Sequence, residues 1–250
     1  MLCNTRSAAV PSLLSSILLV SSVFSISNLA YANNGGVHGP NVKAGTSSAE
    51  LRMNTTNTDD ARDGREQYRA HYQRAFSDSL QVRLVLQYRD FGDFEYDNAK
   101  AEFLYNYKKA SSGKYSAGLR LDLRTRRGQR PEDIALHWTH QYNFSSSVFA
   151  RAIAIIDKNV SENGAGDKPT TIASRFSLTR KLESGIWLGA ELYNSYGELQ
   201  DIDDAEDQQH QLGPTIMYSH QSWYVYARYL HGLTSATEDH NFQFRLGKRF

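Results

Sequence analysis

From Leu80 to Arg89 the chain alternates apolar and polar residues with a period of two. Leu80, Val82, Leu84, Leu86 and Tyr88 fall on one face, and Gln81, Arg83, Gln87 and Arg89 on the other. That is the period of a β-strand with two unlike faces. The pattern returns at Tyr115, Ala117, Leu119, Leu121 and Leu123 against Ser116, Gly118, Arg120, Asp122 and Arg124. It returns again at Ala99, Ala101, Phe103, Tyr105 and Tyr107 against Lys100, Glu102, Asn106 and Lys108. Past residue 32 no run approaches the ~18–20 apolar residues of a membrane helix. The constraint is therefore an all-β fold built from two-faced strands.

Soluble sandwiches alternate as well, so the connections have to decide. Short turns lie at 77–79, 111–114, 145–147, 183–185 and 220–222. Other connections, several of them longer and rich in Asp, Asn and Gly, lie at 55–63, 91–95, 127–132, 158–168, 197–207 and 232–239. Alternating short and long connections define an antiparallel up-and-down transmembrane β-barrel of about 12 strands, with short periplasmic turns and longer extracellular loops. The expected strands are 45–54, 65–76, 80–90, 96–108, 115–126, 133–144, 148–157, 169–182, 186–196, 208–219, 223–231 and 240–250. A propeller shares the spacing but needs a recurrent blade signature, which is missing.

Residues 1–32 read as a signal peptide. Arg6 is followed by an apolar stretch from Val10 to Leu29 and the small-x-small site Ala30-Tyr31-Ala32. Cys3 precedes the apolar run, which excludes a lipoprotein signal. Cleavage after Ala32 leaves 218 of the 250 residues, none of them cysteine, with 27 Lys and Arg against 27 Asp and Glu. Disulfides and thiolate metal centres are then excluded, and bulk charge gives no support to nucleic-acid binding. Residues 33–44 carry no pattern and are expected as a loose periplasmic extension, with the barrel at 45–250.

Aromatic residues crowd beside the short turns: Phe76, Tyr107, Tyr115, Tyr142, Phe144, Trp187, Tyr218, Trp223 and Phe250. Such rings suit the headgroup zone of a bilayer. The terminal segment, with Phe242, Phe244, Leu246 and Phe250 in alternation, resembles the last strand of bacterial outer-membrane barrels, and Lys248 departs from that pattern. The resemblance implies recognition of the Phe250 strand by the barrel-assembly machinery. In length, strand count and an arginine-rich polar face, the chain also resembles the oligogalacturonate-specific family of monomeric porins for acidic oligosaccharides. That resemblance implies a monomer in the outer membrane, passing small anionic solutes.

If the apolar face meets lipid, the polar face lines the lumen. Parity puts Arg69, Arg83, Arg120, Arg124, Arg151, Arg175, Arg228 and Arg245 inside, with fewer acids at that depth: Glu102, Asp122 and Glu191. Arginine is always charged, and its planar fork matches carboxylates and sulfates. These residues form the expected pore lining and selectivity surface, and Trp187, Tyr193, Tyr224 and Tyr226 are inward rings suited to stacking on sugars. The alternative is a closed structural barrel whose inward charges pair with one another. A lipid-modifying enzyme is the weaker alternative: it needs an outward serine and histidine in contact, and outward His140 has no nucleophile in its neighbouring rows. No catalytic residue, cofactor or metal is expected. The acidic loop 201–207 offers oxygens for calcium but lacks the spacing of a calcium loop. It reads as a solvated loop able to meet lipopolysaccharide through divalent cations. Pro214 inside a strand calls for a β-bulge near Gly213-Pro214.

Overall fold

The computed structural model describes residues 35–57, 65–110, 114–128, 132–160 and 169–250. Twelve long strands close into one barrel. They are β1 Ser47–Asn57, β2 Arg65–Ala75, β3 Leu80–Asp90, β4 Phe94–Lys108, β5 Tyr115–Arg126, β6 Asp133–Asn143, β7 Val148–Asn159, β8 Thr170–Lys181, β9 Ile186–Glu198, β11 Gln209–His220, β12 Trp223–Gly232 and β13 His240–Arg249. A two-residue strand, β10 Asp201–Ile202, folds back on the outer end of β9. Each of the twelve long strands pairs antiparallel with the next long strand, and β13 closes the barrel on β1 from Ser48–Arg249 to Asn57–His240. The Phe250 amide donates to the Ser47 carbonyl at 2.9 Å, so the terminal residue lies on the closing seam. Closure leaves no sheet edge, the condition for β-structure in lipid.

The period of two decides what each face meets. Leu84, Leu121, Leu178 and Phe244 project outward and are exposed, while Val85, Arg120, Ser177 and Gln243 beside them point inward and are buried. Most girdle aromatics sit outside, Phe76 and Phe250 among them. Trp187 does not. It shares the inward parity of Glu191 and Tyr193 on β9, and its ring packs with Phe149 near the short-turn mouth.

The register shifts fall elsewhere than expected. On β4 one residue is inserted beside Gln87–Tyr88 of β3 and another, Tyr107, opposite the start of β5. At Gly213-Pro214 no residue is inserted. The β9 register runs through both positions, and the β12 register keeps the same offset on either side. Proline lacks an N–H, so one ladder bond is missing there. Glycine lacks a Cβ, so the Tyr229 carbonyl packs directly on Gly213. The pair absorbs the proline by close backbone approach, and the bulge expected there is corrected.

Candidate functional site

Segment 35–40 overturns the expectation of a loose periplasmic extension. It enters the barrel from the short-turn end and runs up the lumen. Asn106 Nδ2 donates to the Pro40 carbonyl at 2.9 Å, and Thr139 Oγ1 to the His38 carbonyl at 2.9 Å. Val37 is buried against inward-facing Ile153, Ile155, Tyr193 and Leu230, the apolar cluster of the interior. Beyond its glycines, the sequence of the segment gives no warning of this, because most of the contacts are to backbone carbonyls.

The structure places all eight arginines expected by parity inside the barrel. Arg69, Arg83, Arg120, Arg124, Arg175 and Arg245 line a central cavity of ≈ 170 Å³. Arg151 and Arg228 lie against segment 35–40: Arg151 Nη1 donates to the Val37 carbonyl at 3.3 Å, and Arg228 Nη1 to the Gly35 carbonyl at 3.2 Å. Arg52, Lys100 and Arg126, outside the expected set, also line the cavity. Their signal was present: Arg52, between outward Leu51 and Met53, alternates as the others do. The lining therefore holds nine Arg and Lys side chains against the carboxylates of Glu102, Asp122 and Asp157.

The two walls differ. On β3, β4 and β5 the charges interlock. Glu102 meets Lys100 at 2.6 Å, Arg83 at 3.1 Å and Arg120 at 3.4 Å, while Asp122 meets Arg120 at 2.7 Å and Lys100 at 2.9 Å. Above this network Arg124 and Arg126 hold Asp133. Across the seam between β13, β1 and β2 the arrangement is opposite in kind. Arg245, Arg52 and Arg69 are direct cross-strand partners, three arginines on one rung. Like charges facing one another in a sheet are destabilising. Glu50 bonds Arg52 at 2.5 Å and relieves part of this. Glu191, the remaining acid expected inside, meets Arg228 at 3.3 Å.

The inward rings serve these arginines. The Arg175 and Arg228 guanidinium groups lie 5.2 and 4.7 Å from the Tyr193 ring centre, and Arg245 lies 4.0 Å from that of Tyr226. The Tyr224 hydroxyl donates to Glu50 at 2.6 Å. Rings read as platforms for sugar thus hold guanidinium groups in place, through cation–π contacts worth most when desolvated.

Outward His140 now has a physical account. Its Nδ1 bonds the Tyr115 hydroxyl at 2.6 Å, its ring packs edge-on to Trp138 at 4.6 Å, and Trp138 Nε1 donates to the Tyr107 hydroxyl at 2.7 Å. It belongs to the aromatic girdle at the short-turn end. In the acidic loop the Asp203 carboxyl packs on Gly197, whose φ of 86° suits glycine. Partial burial, then Asp207, Asp201 and Asp204, push that carboxyl above its ordinary range. Among the described residues no three acids or histidines converge as metal ligands.

No family model matches the chain, and no curated protein matches it. Solved structures do. An outer-membrane channel from Pseudomonas putida F1 matches with a TM-score of 0.63 at 9% identity, covering 84% of this chain and 97% of that one. The NanC porin matches at 0.56 with 9% identity over 80% and 97%, and the KdgM porin in complex with disordered oligogalacturonate at 0.55 with 10% identity over 81% and 98%. The fold of this chain is that of outer-membrane β-barrels. At such identities the likeness carries the fold alone, and the chemistry of the barrel has to be read from its own lumen.

Proposed function

We propose that the barrel is a porin-type channel for passive diffusion of small anionic solutes, acidic oligosaccharides among them. The observation that carries this is the rung of three arginines, Arg245, Arg52 and Arg69. A stacked row of like charge costs stability, and departures from local folding rules of this kind concentrate where function needs them. The cation excess of the cavity adds to it, since low-dielectric walls focus the field and raise the local concentration of anions. A permeating solute must bind well enough to enter and weakly enough to leave. Successive guanidinium forks offer such graded contacts.

The closed structural barrel remains the second reading, and two observations favour it: the interlocked charges of the β3–β5 wall and the segment lying in the lumen. Swelling of liposomes containing the purified barrel separates the two. Glucuronate should permeate faster than glucose of similar size. Equal rates would remove the anion preference, and no swelling in either sugar even with residues 35–40 deleted would support the closed barrel.

In the same reading the outward aromatics contact outer-membrane lipid, the Phe250 strand is presented to the barrel-assembly machinery, and the barrel acts as a monomer. Loop 201–207 meets lipopolysaccharide through bridging divalent cations.

A further inference from the structure

Three consecutive carbonyls of the luminal segment point at arginines. Gly35 accepts from Arg228 at 3.2 Å and Arg245 at 3.4 Å, Gly36 from Arg175 at 3.5 Å, and Val37 from Arg151 at 3.3 Å. These bonds are long. Arginine–carboxylate bonds run ~2.7–2.9 Å, and in this lumen Arg120 reaches Asp122 at 2.7 Å. Glycine permits the approach: a Cβ on Gly36 would lie 2.9 Å from Arg245, and one on Gly39 would lie 2.7 Å from Gln141 and 2.8 Å from Arg151.

We infer that Gly35–Pro40 is a displaceable plug whose carbonyls occupy the channel's anion site, and that a polyanionic solute opens the channel by replacing them on Arg175, Arg228 and Arg245. The inference rests on reading the lumen as an anion channel. An extended segment presents acceptor oxygens along its length, as a chain of carboxylates does, but each carbonyl brings a partial charge where a carboxylate brings a full one. The solute therefore outbids the plug at every arginine, while the plug wins when no solute is present because it is tethered. The tether is short and fixed: the Ala44 amide donates to Asp78 of the first short turn at 2.9 Å. Local concentration keeps a weakly held tethered ligand bound, and a linker of this kind lets it return. Val37 in its apolar cluster sets the resting position, and His38, which accepts from Arg120 at 2.9 Å, sets the register.

The test is planar-bilayer recording of three proteins: the unaltered barrel, a deletion of 35–40, and the pair Pro40→Cys with Gly118→Cys. A Cβ on Gly118 would lie 3.1 Å from that of Pro40, a few tenths of an ångström inside the ~3.5–4.5 Å a disulfide spans, and 2.9 Å from the Tyr105 carbonyl, so a small outward shift of the segment brings the pair into bonding range. Trigalacturonate is the probe and maltotriose the neutral control. The unaltered barrel should conduct weakly and gain conductance several-fold with trigalacturonate but not with maltotriose. The deletion should conduct at the raised level without the probe. The cysteine pair should lose its response when oxidised and regain it on reduction.

Unchanged conductance on deletion would overturn the inference, as would a response that survives oxidation. If the deletion barrel conducts freely but prefers cations, the plug stands as an obstruction and the anion reading beneath it fails. Should either variant not fold, the other carries the test.

Discussion

Arg120 and Leu121 are neighbours on β5 with opposite faces, and the structure levels the difference expected between their substitutions. Parity alone makes Leu121→Arg the more damaging, because an arginine facing lipid near the midplane costs ~2–4 kcal/mol, whereas a luminal arginine reads as replaceable. Arg120, however, is 4% exposed and holds Asp122 at 2.7 Å and Glu102 at 3.4 Å. Removing one partner of a buried ion pair costs ~3–5 kcal/mol, because the other charge stays buried. Lys100 still reaches both acids, at 2.6 and 2.9 Å, and Arg83 still reaches Glu102. The lower end applies, about 3 kcal/mol or roughly a hundredfold in the folding equilibrium. Arg120→Leu should thus match Leu121→Arg in urea titrations of barrel refolded into vesicles. The cause is separable, since adding Asp122→Asn removes the stranded charge. It should restore much of the loss in Arg120→Leu and none in Leu121→Arg. If Asp122→Asn deepened the Arg120→Leu defect, the network would not be the source of the cost.

Three further outcomes follow from other parts of the molecule. Val37→Ser removes an apolar side chain buried against Ile153 and Leu230, so it should shift the plug outward by about 1.5 kcal/mol, roughly tenfold, seen as more frequent channel opening. Gly213→Ala sets a methyl against the Tyr229 carbonyl and should lower stability by ~1–3 kcal/mol, as overpacking does; an unchanged urea midpoint would mean that the β11–β12 approach is looser than described. Protein extracted from outer membranes should begin at Asn33, and an N-terminal sequence starting at Met1 would remove the signal-peptide reading.

The strands were legible because lipid and lumen impose opposite demands on alternate residues. The ranges 80–90 and 115–126 coincide with β3 and β5, where Leu84 or Leu121 could not exchange places with Arg83 or Arg120. Strand ends were less legible: β1 and β9 run longer than expected, to Asn57 and Glu198, since nothing in the alternation marks where lipid stops. The inward arginines follow from the same parity, but their partners depend on register, which alternation does not set. Glu102 meets Arg83 and Arg120 only because β3, β4 and β5 align as they do. The plug was invisible for another reason. Its carbonyls carry the contacts, and every residue has a carbonyl. Only the glycines 35, 36 and 39 hint at close approach, and glycines also suit a loose tail. Pro214 misled because proline in a strand usually signals a bulge, while Gly213 offers the rarer remedy.

The central claim is that this lumen favours anions because of its arginines, and the reversal potential in a potassium chloride gradient tests it most directly. The account predicts chloride preference in the unaltered barrel and a stronger signal with residues 35–40 removed. Neutralising Arg175 and Arg245 together should move the potential toward zero. Those two are better targets than Arg83 or Arg120, whose removal would unmask Glu102 and Asp122. The preference should fade as salt shortens the Debye length from ~10 Å at 0.1 M to ~3 Å at 1 M. A potassium preference in the unaltered barrel at low salt would contradict the account.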